Sequence, residues 1–323
     1  MAIRTIAVMT SGGDAPGMNP AIRAVVRAAT AHGIEVYGIR QAFSGLLAGD
    51  FERMTNRDVS GIIGRGGTIL QTARNAEFRT LQGQKRGLRR LNEHGIEGLV
   101  VIGGDGSLRG AHSLHELGFP VVGVPGSIDN DIYGTDMSIG VDTALNTIID
   151  ALDKLRDTAS SHERCFLIEV MGRNCGYLAT ISGILGGAEF VMIPERPFTL
   201  QEVAEALENA YMRGKNHAIG VIAEGATPRI HEVAAFLEGH ETGFEVRMTV
   251  LGHVVRGGDP SAFDRLLATR LGVHAVECLL GGETGVMVGL QGRDIGTVSL
   301  ADATDKDKNV STEYIQMADM LAR

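Results

Sequence analysis

Cysteine is scarce: Cys165, Cys175 and Cys278 are the only three in 323 residues, with no CxxC pair and no regular histidine spacing beside them. That excludes a disulfide framework and a zinc site of ordinary ligand spacing, and the odd count fits a reducing compartment. No apolar run approaches the roughly 18 residues a membrane-crossing helix needs. The one near the start, Ile6–Met9, follows a single basic residue, Arg4, and is broken at once by Ser11-Gly12-Gly13-Asp14, which makes neither a signal peptide nor an anchor. A soluble, cytoplasmic protein is expected. Net positive charge is missing as well: the formal balance is -9 and the pI about 5.6, which argues against a nucleic-acid partner and against an anionic membrane surface. Finally there is no Pro- or Ser-rich linker, low-complexity tract or short-period repeat.

What is present suits a folded enzyme. The chain is long enough for two domains of about 150 residues each, and its 44% hydrophobic and 21% charged residues exclude a disordered chain. Two domains without a linker imply that the chain crosses between them more than once, with the cleft between them as the default ligand site. Glycine supplies 44 residues, and arginine outnumbers lysine by 25 to five. Arginine grips phosphate and carboxylate through paired hydrogen bonds, although genome composition would produce the same excess.

Short β-branched runs alternate with glycine turns and helical periodicity throughout. Strands are expected at Thr5–Thr10, Val36–Ile39, Gly98–Ile102, Val121–Val124, Cys165–Val170, Val191–Ile193, Ala218–Ala223, Arg247–Leu251 and Val286–Leu290. Helices are expected at Asn19–His32, Thr80–His94, Ser107–Leu117, Val141–Thr158, Leu200–Arg213 and Ser261–Leu280. Such alternation predicts an α/β protein whose mainly parallel, doubly wound sheets are covered on both faces.

Three strand ends carry unusual loops, where a doubly wound sheet places its ligands. Thr10-Ser11-Gly12-Gly13-Asp14-Ala15-Pro16-Gly17-Met18-Asn19 offers glycine amides to an anion ahead of a helix N-terminus, but lacks the Lys-Ser/Thr of a Walker A loop. Ile102-Gly103-Gly104-Asp105-Gly106-Ser107 sets one carboxylate among glycines, as a magnesium ion bridging phosphates requires. Pro125-Gly126-Ser127-Ile128-Asp129-Asn130-Asp131 spaces two carboxylates two residues apart, suited to one general base and one metal or substrate contact. Each loop could also be an ordinary turn. Arg173 past one strand, and His253 with Arg256 in another glycine-rich turn, are weak alone; with Arg74, Arg164 and Arg247 they could neutralise a phosphate-bearing substrate and a polyphosphate donor.

With TSGGDAPGMN, GGDGS, PGSIDND, SSHER, EVMGRNCG and LGHVVRGGDP in that order, residues 1 to about 290 closely resemble the bacterial ATP-dependent 6-phosphofructokinases. The resemblance implies transfer of the γ-phosphoryl of MgATP to the 1-hydroxyl of fructose 6-phosphate, a glycolytic step. It implies Asp129 as the base; an aspartate near its reference value of about 3.9 is ionised at pH 7, and suffices where proton transfer comes late in a loose transition state. Arg173 would stabilise charge on the transferred group. Asp105 would hold Mg²⁺, with Asp131 assisting through water. Gly13, Arg74 and Asn75 would meet the ATP, and Gly103, Gly104, Gly106 and Ser107 would line it. Ser127, Ile128, Arg164, Met171, Gly172, Glu224, Arg247, His253 and Arg256 would contact the sugar phosphate, Arg164 and Arg247 from a neighbouring subunit of a homotetramer. An ADP or phosphoenolpyruvate effector site would use Arg23, Arg27, Arg156, Glu189, Arg213 and Lys215, of which Arg23 and Arg27 share a helix face. The implied domains are 1–139 with 253–303 for ATP, and 140–252 with 304–323 for the sugar phosphate.

Several positions depart from the family pattern: Ser127 for threonine, Asn75 for an aromatic or cysteine, Ala76 for proline, Tyr177 for aspartate, Asn56 with Arg57 for an effector arginine, and Asn216 for lysine. Pyrophosphate-dependent members tend to carry an acid where Gly106 stands and a lysine where Gly126 stands, so both glycines favour ATP. A catalytically silent sugar-phosphate sensor would need a broken base or metal ligand, whereas Asp129, Asp105 and Arg173 are all present.

Overall fold

The computed structural model describes residues 3–322. In chain order the elements are β1 (Thr5–Ser11), α1 (Met18–Ala31), β2 (Glu35–Ile39), α2 (Ala42–Ala48), β3 (Phe51–Met54), α3 (Leu81–Glu93), β4 (Gly98–Gly103), α4 (Asp105–Glu116) and β5 (Val121–Pro125). They continue with α5 (Val141–His162), β6 (Arg164–Val170), α6 (Tyr177–Gly186), β7 (Phe190–Met192), α7 (Leu200–Met212), β8 (Ala218–Ala223), α8 (Ile230–Glu238) and β9 (Glu245–Val250). The last are α9 (Ala262–Gly281), β10 (Val286–Gln291), β11 (Asp294–Ser299), α10 (Leu300–Asp305) and α11 (Thr312–Leu321).

Two compact units result. The first comprises Met1–Ile128, Ile132–Thr143 and Arg256–Asp307; the second comprises Asp129–Asp131, Ala144–Val255 and Lys308–Arg323. Of these bounds, residues 1, 2 and 323 lie outside the described range.

The first unit is built on a seven-stranded sheet ordered β11-β10-β5-β4-β1-β2-β3. Its central strands are parallel, and every residue of β4 is buried, as expected of a strand covered on both faces. Met9, Leu99, Val101, Leu108 and Leu114 join one continuous core with Phe43 and Phe78, whose rings stack at 4.1 Å. The second unit holds a four-stranded parallel sheet ordered β7-β8-β6-β9. Cys165 and Leu167 of β6 and Ala218 and Ile222 of β8 pack there with Val203 and Leu207 of α7 and Ile230 and Val233 of α8.

The expected strands and long helices are present, with their ends shifted by a few residues; α5 runs on to His162 rather than stopping at Thr158. Helix ends follow local chemistry. The Thr199 hydroxyl accepts from the Glu202 amide while Glu202 accepts from the Thr199 amide, a reciprocal cap on α7. Ser261 caps α9, which ends on Gly282 in the left-handed region at φ 77°.

Candidate active site

In the first unit the chain runs outward from β1 to β2 and β3 on one side and to β4 and β5 on the other. Such a reversal is where a doubly wound sheet places its ligand, beyond the carboxyl ends of the strands, and the three glycine loops lie at those ends of β1, β4 and β5. The loops are packed together through backbone. The Gly126 amide donates to the Gly103 carbonyl at 3.0 Å. A Cβ on Gly103 would stand 2.4 Å from the Ser11 carbonyl oxygen, one on Gly12 would stand 3.0 Å from Ser107 Oγ, and one on Gly104 would stand 3.6 Å from Ser127 Cβ. A side chain at Gly103 would force the first two loops apart, whereas one at Gly104 would only touch Ser127 at ordinary contact distance.

Arg256 lies over the first loop: its Nη1 donates to the Asp14 carbonyl at 3.3 Å, and a Cβ on Gly13 would come within 2.5 Å of that nitrogen. Asp105, Gly106 and Ser107 form the first turn of α4 behind the cap residue Gly104; the Ser107 amide donates to the Gly104 carbonyl at 2.9 Å, and the positive end of the helix suits a phosphate. Gly106 is exposed, with open space where its Cβ would stand. The Thr72 hydroxyl donates to the Gly12 carbonyl at 2.8 Å, bringing the segment that carries Arg74 alongside. Asn75 has a different task from a base-stacking ring: its amide donates to Ser44 Oγ at 3.1 Å and its Oδ1 accepts from the Phe78 amide at 3.0 Å.

The second unit gathers most of the expected sugar-phosphate residues. The Glu224 amide donates to the Val170 carbonyl at 2.8 Å and the Gly225 amide to the Gly172 carbonyl at 3.0 Å. Met171, Gly172, Arg173 and Glu224 thus share the carboxyl ends of β6 and β8. Gly172 adopts φ 139° with no room for a Cβ against the Cys175 carbonyl. Arg164 and Glu245 are register partners across β6 and β9, and Arg164 Nε meets Glu245 Oε2 at 2.7 Å. Arg247 holds the other oxygen of the same carboxylate. The Arg164 hydrogen bond, reinforced by both guanidinium charges, keeps Glu245 below the usual carboxylate range. His253 sits exposed in the short 3-10 turn Gly252–Arg256.

One residue here, the glutamate that opens EVMGRNCG, has no role assigned to it by the motifs. Glu169 precedes Val170 on β6 and lies near Glu224; burial, then the Glu224 charge, push its carboxyl up, against opposing pulls from His231 and Arg229. The available signal was a charged residue alternating with apolar ones on an otherwise buried strand.

The expected effector residues divide between the units. Arg23 and Arg27 lie on α1, where burial and the neighbouring Arg27 charge lower the Arg23 value. In the second unit, Glu189 is buried and paired with Lys215 at 2.8 Å. Arg156 Nη2 is a buried donor without a partner, 3.6 Å from where a Cβ on Gly187 would stand. Arg213 reaches the Ala322 carbonyl at 3.5 Å. Of the departures, Tyr177 packs edge-on against Tyr314 of α11, with ring centroids 6.5 Å apart, and Asn216 Oδ1 lies 2.7 Å from His217 Nδ1.

The profile of the family described as Phosphofructokinase matches residues 5–279. The chain belongs to the phosphofructokinase family. It is 52% identical over 321 residues to an ATP-dependent 6-phosphofructokinase of Thermotoga neapolitana, covering 99% of this chain and 100% of that one. The same identity holds over 320 residues with the ATP-dependent 6-phosphofructokinase of Halalkalibacterium halodurans, at 99% and 100% coverage. Among solved structures, Pichia pastoris phosphofructokinase in the T-state matches with TM-score 0.89 and 38% identity over 94% of this chain; this chain spans only 36% of that longer one. A pyrophosphate-dependent phosphofructokinase of Marinobacter aquaeolei shares the fold at TM-score 0.85 but only 21% identity, over 99% of this chain and 91% of that one. The phosphofructokinase fold is therefore the two-unit, mainly parallel α/β architecture described above.

Proposed function

We infer that this phosphofructokinase transfers the γ-phosphoryl group of ATP to the 1-hydroxyl of fructose 6-phosphate, yielding fructose 1,6-bisphosphate and ADP. The observation that carries the choice of donor is Gly106: at the second position of α4, beside Asp105, the loop leaves open space. A carboxylate there would occupy room that ATP needs for its α-phosphate and ribose. Glycine at 126 points the same way.

In this reading Asp129 accepts the hydroxyl proton as the new P–O bond forms and the bond to ADP breaks. Because the transferred group is loosely bound at the transition state, the proton moves late and a weak base suffices. Arg173 would balance charge on the equatorial oxygens. Gly13, Arg74, Asn75 and the 103–107 loop would hold the nucleotide; Ser127, Ile128, Arg164, Met171, Gly172, Glu224, Arg247, His253 and Arg256 would hold the sugar phosphate.

Asp105 would be the carboxylate for magnesium: it is half-exposed on the first turn of α4, with Arg109 Nε at 3.1 Å as its partner within the chain. Among the described residues no group of three or more His, Cys, Asp or Glu gathers to hold a metal alone, and Mg²⁺ characteristically takes one or two carboxylates and completes its shell with water and substrate phosphates. Bound there, the ion would supply charge neutralisation at the phosphates. Arg164 and Arg247, each engaged with Glu245 within the chain, would serve a neighbouring subunit of a homotetramer. Arg23, Arg27, Arg156, Glu189, Arg213 and Lys215 would form a subunit-spanning site for ADP or phosphoenolpyruvate. A cytoplasmic location accords with the buried, unbridged thiols.

The test is steady-state formation of fructose 1,6-bisphosphate with ATP or pyrophosphate supplied separately, Mg²⁺ present in both. Activity with ATP alone is expected, falling by about two to four powers of ten in Asp129→Ser. Turnover with pyrophosphate would refute the reading of the two glycines, and silence with both donors in an assembled oligomer would favour a sugar-phosphate sensor.

A further inference from the structure

Asp264, on the first turn of α9, is completely buried yet carries no role in the reading above. Its carboxylate is fully used. Oδ1 accepts from the Gly140 amide at 2.8 Å, and Oδ2 accepts from the Thr143 amide at 2.8 Å and the Thr143 hydroxyl at 2.6 Å. Thr143 lies in the first turn of α5, so a carboxylate from another helix satisfies amides at the N-terminal end of this 22-residue helix, where a negative charge is favoured. The Thr143 oxygen in turn accepts from the Ser261 amide at 2.9 Å, and the Ser261 hydroxyl donates to Asp142 at 2.5 Å and accepts from the Asp264 amide at 3.2 Å.

From Gly140 the network runs straight to the proposed reacting loop. Ile139 donates its amide to the Pro125 carbonyl at 3.0 Å and accepts from the Ser127 amide at 3.2 Å. The Ser138 hydroxyl donates to the Ser127 carbonyl at 2.7 Å. Ser127 is thus held on both sides, two residues before Asp129. The first loop is locked to the same strut: a Cβ on Gly17 would stand 2.5 Å from Ile139 Cγ2, and one on Gly140 would stand 2.7 Å from Ala15 Cβ.

We propose that Asp264 is a positioning residue for phosphoryl transfer, fixing the 138–143 strut and, through it, the Ser127–Asp129 segment. The proposal rests on the reading of Asp129 as the base. Its burial gives the charge leverage. Desolvation pushes the carboxyl up while the Thr143 and Gly140 hydrogen bonds pull it down, so any lost donor leaves a buried, under-satisfied group. A base displaced by about 1 Å can lose roughly a hundredfold in rate.

The experiment uses the full-length enzyme and three variants. Asp264→Asn keeps the shape but turns one acceptor into a donor facing an amide. Thr143→Val removes the hydroxyl donor, and Thr143→Ser restores it. Wild-type turnover with ATP is measured first; its absence would refute the proposed function itself. Given that turnover, kcat is expected to fall by about tenfold or more in Asp264→Asn and Thr143→Val, with both KM values within about threefold, and to recover in Thr143→Ser. A folded Asp264→Asn enzyme with kcat within twofold of wild type would overturn the proposal. So would a rise in both KM values matching the fall in kcat, the signature of general loosening, or a Thr143→Ser enzyme as slow as Thr143→Val. Should Asp264→Asn fail to fold, the valine and serine variants decide between the same outcomes.

Discussion

Replacing Gly106 by aspartate should move stability and activity in opposite directions. The position is exposed, its φ lies outside the left-handed region, and nothing stands within 4 Å of a Cβ built there, so the fold has no steric reason to object. Glycine in a helix costs about 0.5–1 kcal/mol relative to alanine, and aspartate recovers a few tenths of this in an interior position. An acid in the first turn adds about 0.3–1 kcal/mol through the helix dipole. Arg109, now 3.1 Å from Asp105, stands three residues on and is within reach of the new charge. The melting temperature should therefore hold or rise by about 1–3 °C. Activity should suffer, because two unit charges about 4 Å apart interact by about 1 kcal/mol in bulk water and about 4 kcal/mol near a protein surface. Repulsion of the ATP phosphates on that scale raises KM for ATP by roughly five- to a thousandfold. Calorimetry and initial-rate assays on the same preparation check both halves. An unchanged KM for ATP would refute the placement of the nucleotide over Gly106. A melting temperature lowered by more than a few degrees would refute the account of the loop as sterically open.

Gly103→Ala tests the opposite situation. Its Cβ would press on the Ser11 carbonyl at 2.4 Å and on Ser107 Oγ at 2.6 Å, so a loss of about 1–3 kcal/mol is expected in urea unfolding, together with lost turnover. Glu245 should titrate below an ordinary glutamate by carbon-13 NMR and return toward the ordinary value in Arg164→Ala. Since its folded value is the depressed one, the pair contributes above the unfolded value of about 4.3 and is lost as pH falls through the lower folded value. The three thiols are buried and free. Burial pushes Cys175 and Cys278 up to about 12, so a disulfide reagent at pH 8 should label the native protein slowly and the urea-unfolded protein at once.

The legible part of the fold was the part with a strong period. Continuous apolar strands such as Gly98–Gly103 are unmistakable, and the glycine loops mark their carboxyl ends. The antiparallel edge strands were not: Phe51–Met54 and Asp294–Ser299 are short and partly exposed, with polar residues among the apolar ones. Helix α6 was missed for the reverse reason, since Tyr177–Gly186 is apolar almost all round and shows no helical face. Its glycines Gly183 and Gly186 make room for Val191 and Leu152 instead. Motifs named the site residues one by one but could not show that Arg256 covers Gly13, or that Glu245 holds Arg164 and Arg247. Those facts depend on strand register and on residues far apart in the chain.

The interleaving of the two units sets the order in which their sheets are completed during synthesis. The four strands of the smaller sheet have all been made once Val250 is joined. The seven-stranded sheet, although it begins at Thr5, waits for β10 beyond Val286 to lie against β5, and for α9 to cover α1. Domains usually fold as units in the order they leave the ribosome. Here the sheet that starts first is finished last, and the apolar surfaces of β5 and α1 stand open through much of translation. Pulse-chase proteolysis of stalled chains should find the 144–250 region protected before residues 5–128.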